Sequence, residues 1–134
     1  MTRATTPRTP SAAFAIVEEV GLTLPGVTVA TKYDGSPLLK LGGCFMAGLA
    51  THVSAEPDTL VVRMRPDDRE LLIADAPDGC YVTDYHLKHP VVLVRLSRID
   101  RDALRDILTV SWRLTAAKAR RVPRTRSAWP SAPC

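Results

Sequence analysis

The chain has 134 residues, 46% of them hydrophobic and 24% charged, and a formal net charge of +4. That length and balance fit one globular domain around a single core and exclude wholesale disorder. No apolar run approaches the roughly 18 residues that span a bilayer. Met1 to Pro10 lacks the apolar segment of a secretory signal, so a cytoplasmic protein without membrane contact is expected.

Met1 to Pro10, rich in Thr, Pro and Arg, reads as a disordered tail, and Ser11 as the N-cap of a helix over about Ala12 to Val20 that stops at Gly21. Phe14, Val17 and Gly21 fall on one side of that helix, with Ile16 and Val20 beside them, which predicts an apolar stripe laid on a sheet. Four strands follow at short intervals, Val27 to Tyr33, Leu38 to Leu41, Cys44 to Thr51 and Thr59 to Met64. The first two are separated by the turn Asp34-Gly35-Ser36-Pro37, and the second and third by Gly42-Gly43, a pair suited to the tip of a tight hairpin. Pro66 interrupts the strand pattern. A short helix then runs from Asp67 to Ala76, with Asp67, Asp68 and Glu70 in the first turn, where the helix dipole favours acids, and Leu71 and Leu72 turned to the core.

Two more strands, Cys80 to Asp84 and Val91 to Leu96, precede the longest helix, Arg101 to Arg120, capped by Ser97 or Asp100. On it Leu104, Ile107, Leu108, Ser111, Leu114 and Thr115 recur at spacings of three and four and mark a buried face. After Val122, Pro, Ser and Arg predominate, as in a flexible end. The order α-β-β-β-β-α-β-β-α lacks βαβ alternation. It therefore predicts an α+β domain over residues 11–121: an antiparallel sheet of about six strands with helices mainly on one face.

The charge is unevenly placed. Residues 1–106 carry twelve Lys and Arg against fourteen Asp and Glu, whereas residues 107–134 carry six basic residues and no acidic one. Arg113, Lys118, Arg120, Arg121, Arg124 and Arg126 form a concentration of positive charge able to meet several phosphates. The alternative is a solvated tail whose cations suit a helix C-terminus. Lys32 and Lys40 flank the first hairpin, and Lys88 and Arg95 lie around the last one. These two basic loops on one edge could grip phosphates, or could be ordinary solvent-facing strand residues.

Other chemistry is sparse. His86 and His89 stand three apart but next to Pro90 and β-prone residues, which places them in a loop or strand start, and nothing in the pattern brings His52 or Cys80 to them as further zinc ligands. Cys44 and Cys80 read as small core residues rather than as thiols paired with His86, and Cys134 as an exposed thiol in the tail. No nucleophile elbow, Walker or dinucleotide-binding pattern occurs. No catalytic residue, metal ligand set or cofactor is expected, and the chain reads as non-enzymatic.

The segments Thr31-Lys-Tyr-Asp-Gly-Ser-Pro-Leu-Leu-Lys40 and Leu96-Ser-Arg-Ile-Asp-Arg-Asp-Ala-Leu104, with Trp112, resemble the MmcQ/YjbR family of small bacterial proteins over about Ser11 to Arg121. The resemblance implies a fold similar to the frataxin-like CyaY arrangement, with projecting hairpin wings, and a DNA-binding role. Many members carry Lys just after the hairpin glycines and Trp soon after the His near the penultimate strand; here Cys44 and Pro90 or Val91 stand in those regions. Two functions follow from different classes. The first is a module that contacts the backbone of double-stranded DNA through hairpin loops and the basic helix end. The second is a small protein-interaction or ligand-binding domain that uses the sheet face around Tyr33, Tyr81 and Tyr85.

Overall fold

The computed structural model describes residues 10–121; the expectations for the two tails, including Arg124, Arg126 and Cys134, lie outside the described residues. Helix α1 (Pro10–Gly21) is followed by strands β1 (Val27–Thr31), β2 (Pro37–Leu41), β3 (Cys44–Leu49) and β4 (Thr59–Arg63). Helix α2 (Pro66–Asp75), strand β5 (Cys80–Tyr81), helix α3 (Asp84–Leu87), strand β6 (Val91–Arg95) and helix α4 (Arg101–Arg121) complete the chain, with a single 3-10 turn at Leu96–Arg98. The six strands form one sheet in the order β1-β2-β3-β4-β6-β5, and every pair is antiparallel. The α+β expectation holds.

Alternation along the strands divides the side chains between two faces. Val27, Leu39, Leu41, Ala47, Leu60, Val62, Val92 and Val94 point to the inner face, where they pack with Phe14, Val17 and Val20 of α1 and Leu104, Ile107 and Leu108 of α4 in one core. Register places Ala30, Leu38, Gly48, Val61, Leu93 and Tyr81 in one row across the outer face. Helices α1, α2 and α4 cover the inner face; α3 sits against β6 on the outer one.

Local chemistry explains these elements. Gly42 and Gly43 have φ of 60° and 81°, and Leu41 pairs with Cys44, so the two glycines make the two-residue hairpin turn expected of them. The register of β2 on β3 slips between Leu39 and Lys40, so that Met46 has no partner in the ladder. The Met46 carbonyl instead accepts a hydrogen bond from Ser111 Oγ at 3.1 Å, which ties α4 to the sheet through a fully buried serine. Trp112 Nε1 donates to Pro25 O at 2.9 Å, and Arg101 pairs with Glu19 at 2.8 Å, which fixes α4 against α1.

Several expectations need correction. Ser11 lies inside α1, which begins at Pro10, a residue suited to a first turn that needs no N–H donor. Pro66 likewise starts α2 rather than merely ending a strand. Of the two proposed caps for α4, Asp100 is correct: its Oδ1 accepts from Ala103 N at 2.8 Å, while Ser97 lies in the 3-10 turn. Leu71 is 70% exposed and Leu114 only half-buried, because each stands at the margin of its helix's apolar face, beside a cleft. The strand expected over Cys80 to Asp84 ends at Tyr81. Thr83 then caps α3, its Oγ1 accepting from His86 N, so a helical turn replaces the rest of the strand.

Candidate nucleic-acid interface

Four cations converge where β4 ends and α4 passes over it. Arg63, Arg65, Arg113 and Lys118 line one cleft of about 560 Å³, with Pro90, Val110, Leu114 and Ala117 as its apolar walls and Asp68 as its one acid. Arg113 and Lys118 stand on either side of the strip of α4 formed by Val110, Leu114 and Ala117, which faces the cleft, so both side chains border it. Arg65 is held by the turn into α2 and pairs with Asp68 at 3.5 Å, a long contact between solvated groups.

Arg63 is different in kind. It alternates with Val61 and Thr59 on the outer face yet is only 8% exposed. Its Nε donates to Phe45 O at 2.8 Å; among the described residues its two terminal nitrogens have no protein acceptor. Burial pulls its pKa below the ordinary arginine value, and an arginine so shifted remains a cation at neutral pH. A buried cation without an anion costs several kcal/mol of desolvation. The cleft thus has a positive floor in want of a negative partner.

The remaining expected cations divide. Lys32 lies across the sheet, at a recess of about 180 Å³ on the outer face, and Lys40 stands on β2 opposite Phe45. Lys88 sits 5.6 Å from the centre of the Tyr85 ring, next to that recess. Arg95 is already occupied: it clasps Glu56 through two bonds of 2.8 and 2.9 Å, donates to Pro77 O and Asp78 O, and lies 4.2 Å from the centre of the Tyr81 ring. Glu56 accordingly has a lowered pKa and Arg95 a raised one, each held charged by the other. Arg120 and Arg121 form the end of α4. Lys32 and Lys88 therefore stand at the outer-face recess, Lys40 stands beside Phe45 of its lining and Arg95 is taken up by Glu56, whereas Arg113 and Lys118 meet Arg63 and Arg65 in the cleft.

Sequence reasoning missed Arg63, Arg65 and Arg69. Arg63 and Arg65 bracket Met64 at the end of a strand, and a strand ending in alternate arginines is a legible signal. Arg69, 5% exposed, donates to His89 O and Val91 O and holds the start of β6 against α2.

The histidines also gather, contrary to expectation. His52 stacks on Tyr85 with ring centres 3.6 Å apart, and His86 lies edge-on to both rings. His89 is tilted against Tyr85 at 5.5 Å. The α3 turn brings them together. His86 Nδ1 bonds Thr83 Oγ1 at 2.7 Å, and His52 Nδ1 accepts from Ser54 N at 3.1 Å. Burial first, then repulsion from His52 and His89, lowers the His86 pKa. Among the described residues no group of three or more His, Cys, Asp or Glu is arranged to hold a metal ion. Cys80 is buried in the core, and burial pushes its thiol to about 11, which leaves it protonated and unreactive at neutral pH.

Comparison with known proteins agrees with the fold. The family model described as YjbR matches residues 22–114. The crystal structure of Deinococcus radiodurans protein DR2400, whose domain is DUF419, an older name of the same family, superposes with a TM-score of 0.63 at 22% identity, over 93% of this chain and 92% of that one. No curated protein matches. No helix among the described residues is long and apolar enough to cross a membrane.

Proposed function

Because the chain belongs to the YjbR family, we propose that it is a non-enzymatic nucleic-acid-binding protein that contacts the phosphate backbone of duplex DNA through the cleft rim of Arg65, Arg113 and Lys118, above the recessed Arg63 and extended by the basic end of α4. One observation carries the reading: four cations from β4, its exit turn and α4 face one concavity containing a single, already paired carboxylate. Phosphates offset such a concentration by releasing their own counterions, and the contacts carry no base preference. Away from the cleft the domain adds little, since residues 1–106 are net acidic.

A specific observation favours the alternative of a small-ligand or protein-binding domain. A cleft of about 470 Å³ between α2 and α4, lined by Met64, Leu71, Leu72, Ile107 and Val110 and edged by Asp68, Asp75 and Asp106, is apolar and concave. Its acidic edge makes it unsuited to nucleic acid. Titration of a labelled random-sequence duplex at about 50 and 200 mM salt separates the two readings, because phosphate contacts weaken by orders of magnitude over that range. Steep salt dependence supports the first; no binding even at the lower salt overturns it. A chain ending at Arg121 that binds as well as the full chain assigns the affinity to the cleft rather than to the tail.

A further inference from the structure

We infer that the cleft is built to take one phosphomonoester group, with Arg63 at its floor as the residue that grips it. The inference rests on reading the cleft as an anion site, and goes beyond it in naming the anion. Position and bonding argue for this. Arg63 is nine-tenths buried and lines the cleft, its Nε is spent on Phe45 O, and among the described residues Nη1 and Nη2 have no protein acceptor. The other deeply buried arginine shows what a structural role looks like: Arg69 Nη1 alone serves two carbonyls, at 3.0 and 3.1 Å.

A recessed guanidinium selects by shape. The backbone of a duplex is a broad convex surface that touches the rim, where Arg65, Arg113 and Lys118 are exposed or half-exposed, without reaching the floor. A monoester ends in three free oxygens and can enter. Its charge of roughly −1.5 to −2 at neutral pH suits a site with several cations, and two of its oxygens can accept in parallel from a guanidinium. Pro90, Val110, Leu114 and Ala117 leave an apolar wall for the group that carries the phosphate, and about 560 Å³ is room enough for a nucleotide. Asp68 opposes an anion, but it lies on the Arg65 side and is paired there.

The shared chemistry has two sources, a 5′-phosphorylated end of nucleic acid or a free nucleoside monophosphate, and one set of measurements on the full chain distinguishes them. Duplexes with 5′-phosphate and with 5′-hydroxyl ends are compared by anisotropy; inorganic phosphate, adenosine 5′-monophosphate and adenosine are titrated separately by calorimetry. The inference expects the monophosphate to bind and adenosine not to, and Arg63→Gln to weaken the monophosphate by about 10- to 100-fold, the range for a charged hydrogen bond. If Arg63→Gln does not fold, Arg113→Ala, at an exposed site, still has to weaken the monophosphate severalfold. A 5′-phosphate that tightens the duplex identifies an end-binding protein. Monophosphate binding with no duplex binding of either kind supports the pocket and removes the duplex proposal. Equal duplex affinities together with no monophosphate or phosphate binding overturn the inference and leave duplex binding standing.

Discussion

Arg63 and Arg95 end the neighbouring strands β4 and β6, at opposite ends of that pair, and meet opposite fates. At the Arg95 end the guanidinium is enclosed by acceptors: both Glu56 oxygens, two carbonyls and the face of Tyr81, whose hydroxyl in turn accepts from Glu56 N and bonds Thr59 Oγ1. That corner is complete and holds the 50–58 loop to the sheet. At the Arg63 end a more deeply buried guanidinium has one carbonyl, and its neighbours Arg65, Arg113 and Lys118 are also positive. The contrast teaches that a cation's availability, rather than its presence, marks a binding surface.

Replacing each buried or clasped arginine by Met sharpens the comparison, and the largest effect is expected at Arg69. Arg69→Met strands the carbonyls of His89 and Val91 and should destabilise by about 2–4 kcal/mol, read as a lower midpoint in denaturant; an unchanged midpoint would show that the clasp is incidental. Arg95→Met should cost less, because Glu56 is half-exposed and water replaces part of the interaction, and should leave duplex affinity unaltered. Abolished binding in that variant would dissolve the distinction between the two ends. Arg63→Met should change stability least, within about 1 kcal/mol, since removing an unpaired buried charge offsets the missing bond to Phe45 O. A drop of several kcal/mol there would place Arg63 among the structural arginines.

The histidine cluster gives a comparison in pH. The folded state holds the His86 pKa below its ordinary value, so the unfolded chain binds that proton more readily. Its contribution is present above about pH 6.5 and is lost as pH falls below that, through the lowered pKa of the fold. Thermal midpoints should therefore drop between about pH 7 and 5, less steeply in His86→Gln. Identical profiles would exclude His86 as the cause. The lowered carboxylates Glu19, Asp34 and Glu56 act in a more acid range.

Much of the fold was legible because periodicity and turn chemistry are local. The Gly42-Gly43 turn and the spacing of Leu104, Ile107 and Leu108 each announce themselves within a few residues, and the cap of α4 was narrowed to Ser97 or Asp100. The site was only half legible. Arg113 and Lys118 stood out as members of a basic run, but their partners Arg63 and Arg65 lie about 50 positions earlier in an acidic region, and only the packing of α4 on β4 unites them. Arg95 drew attention by charge alone, and nothing in its neighbours' types foretold the clasp by Glu56, 39 positions away. The stack of His52 on Tyr85 required α3, a turn too short to produce a period.

Central to this comparison is that the open cleft, and not the closed corner, meets nucleic-acid phosphate. The most direct test titrates one duplex with the native chain and with the Arg65→Ala, Arg113→Ala, Lys118→Ala variant across a series of salt concentrations. These three side chains are exposed or half-exposed, so the fold should be retained. The variant should bind more weakly, and its plot of log affinity against log salt should be flatter by up to about 0.9 for each phosphate that it no longer neutralises. An unchanged affinity and slope would contradict the assignment of the cleft to phosphate.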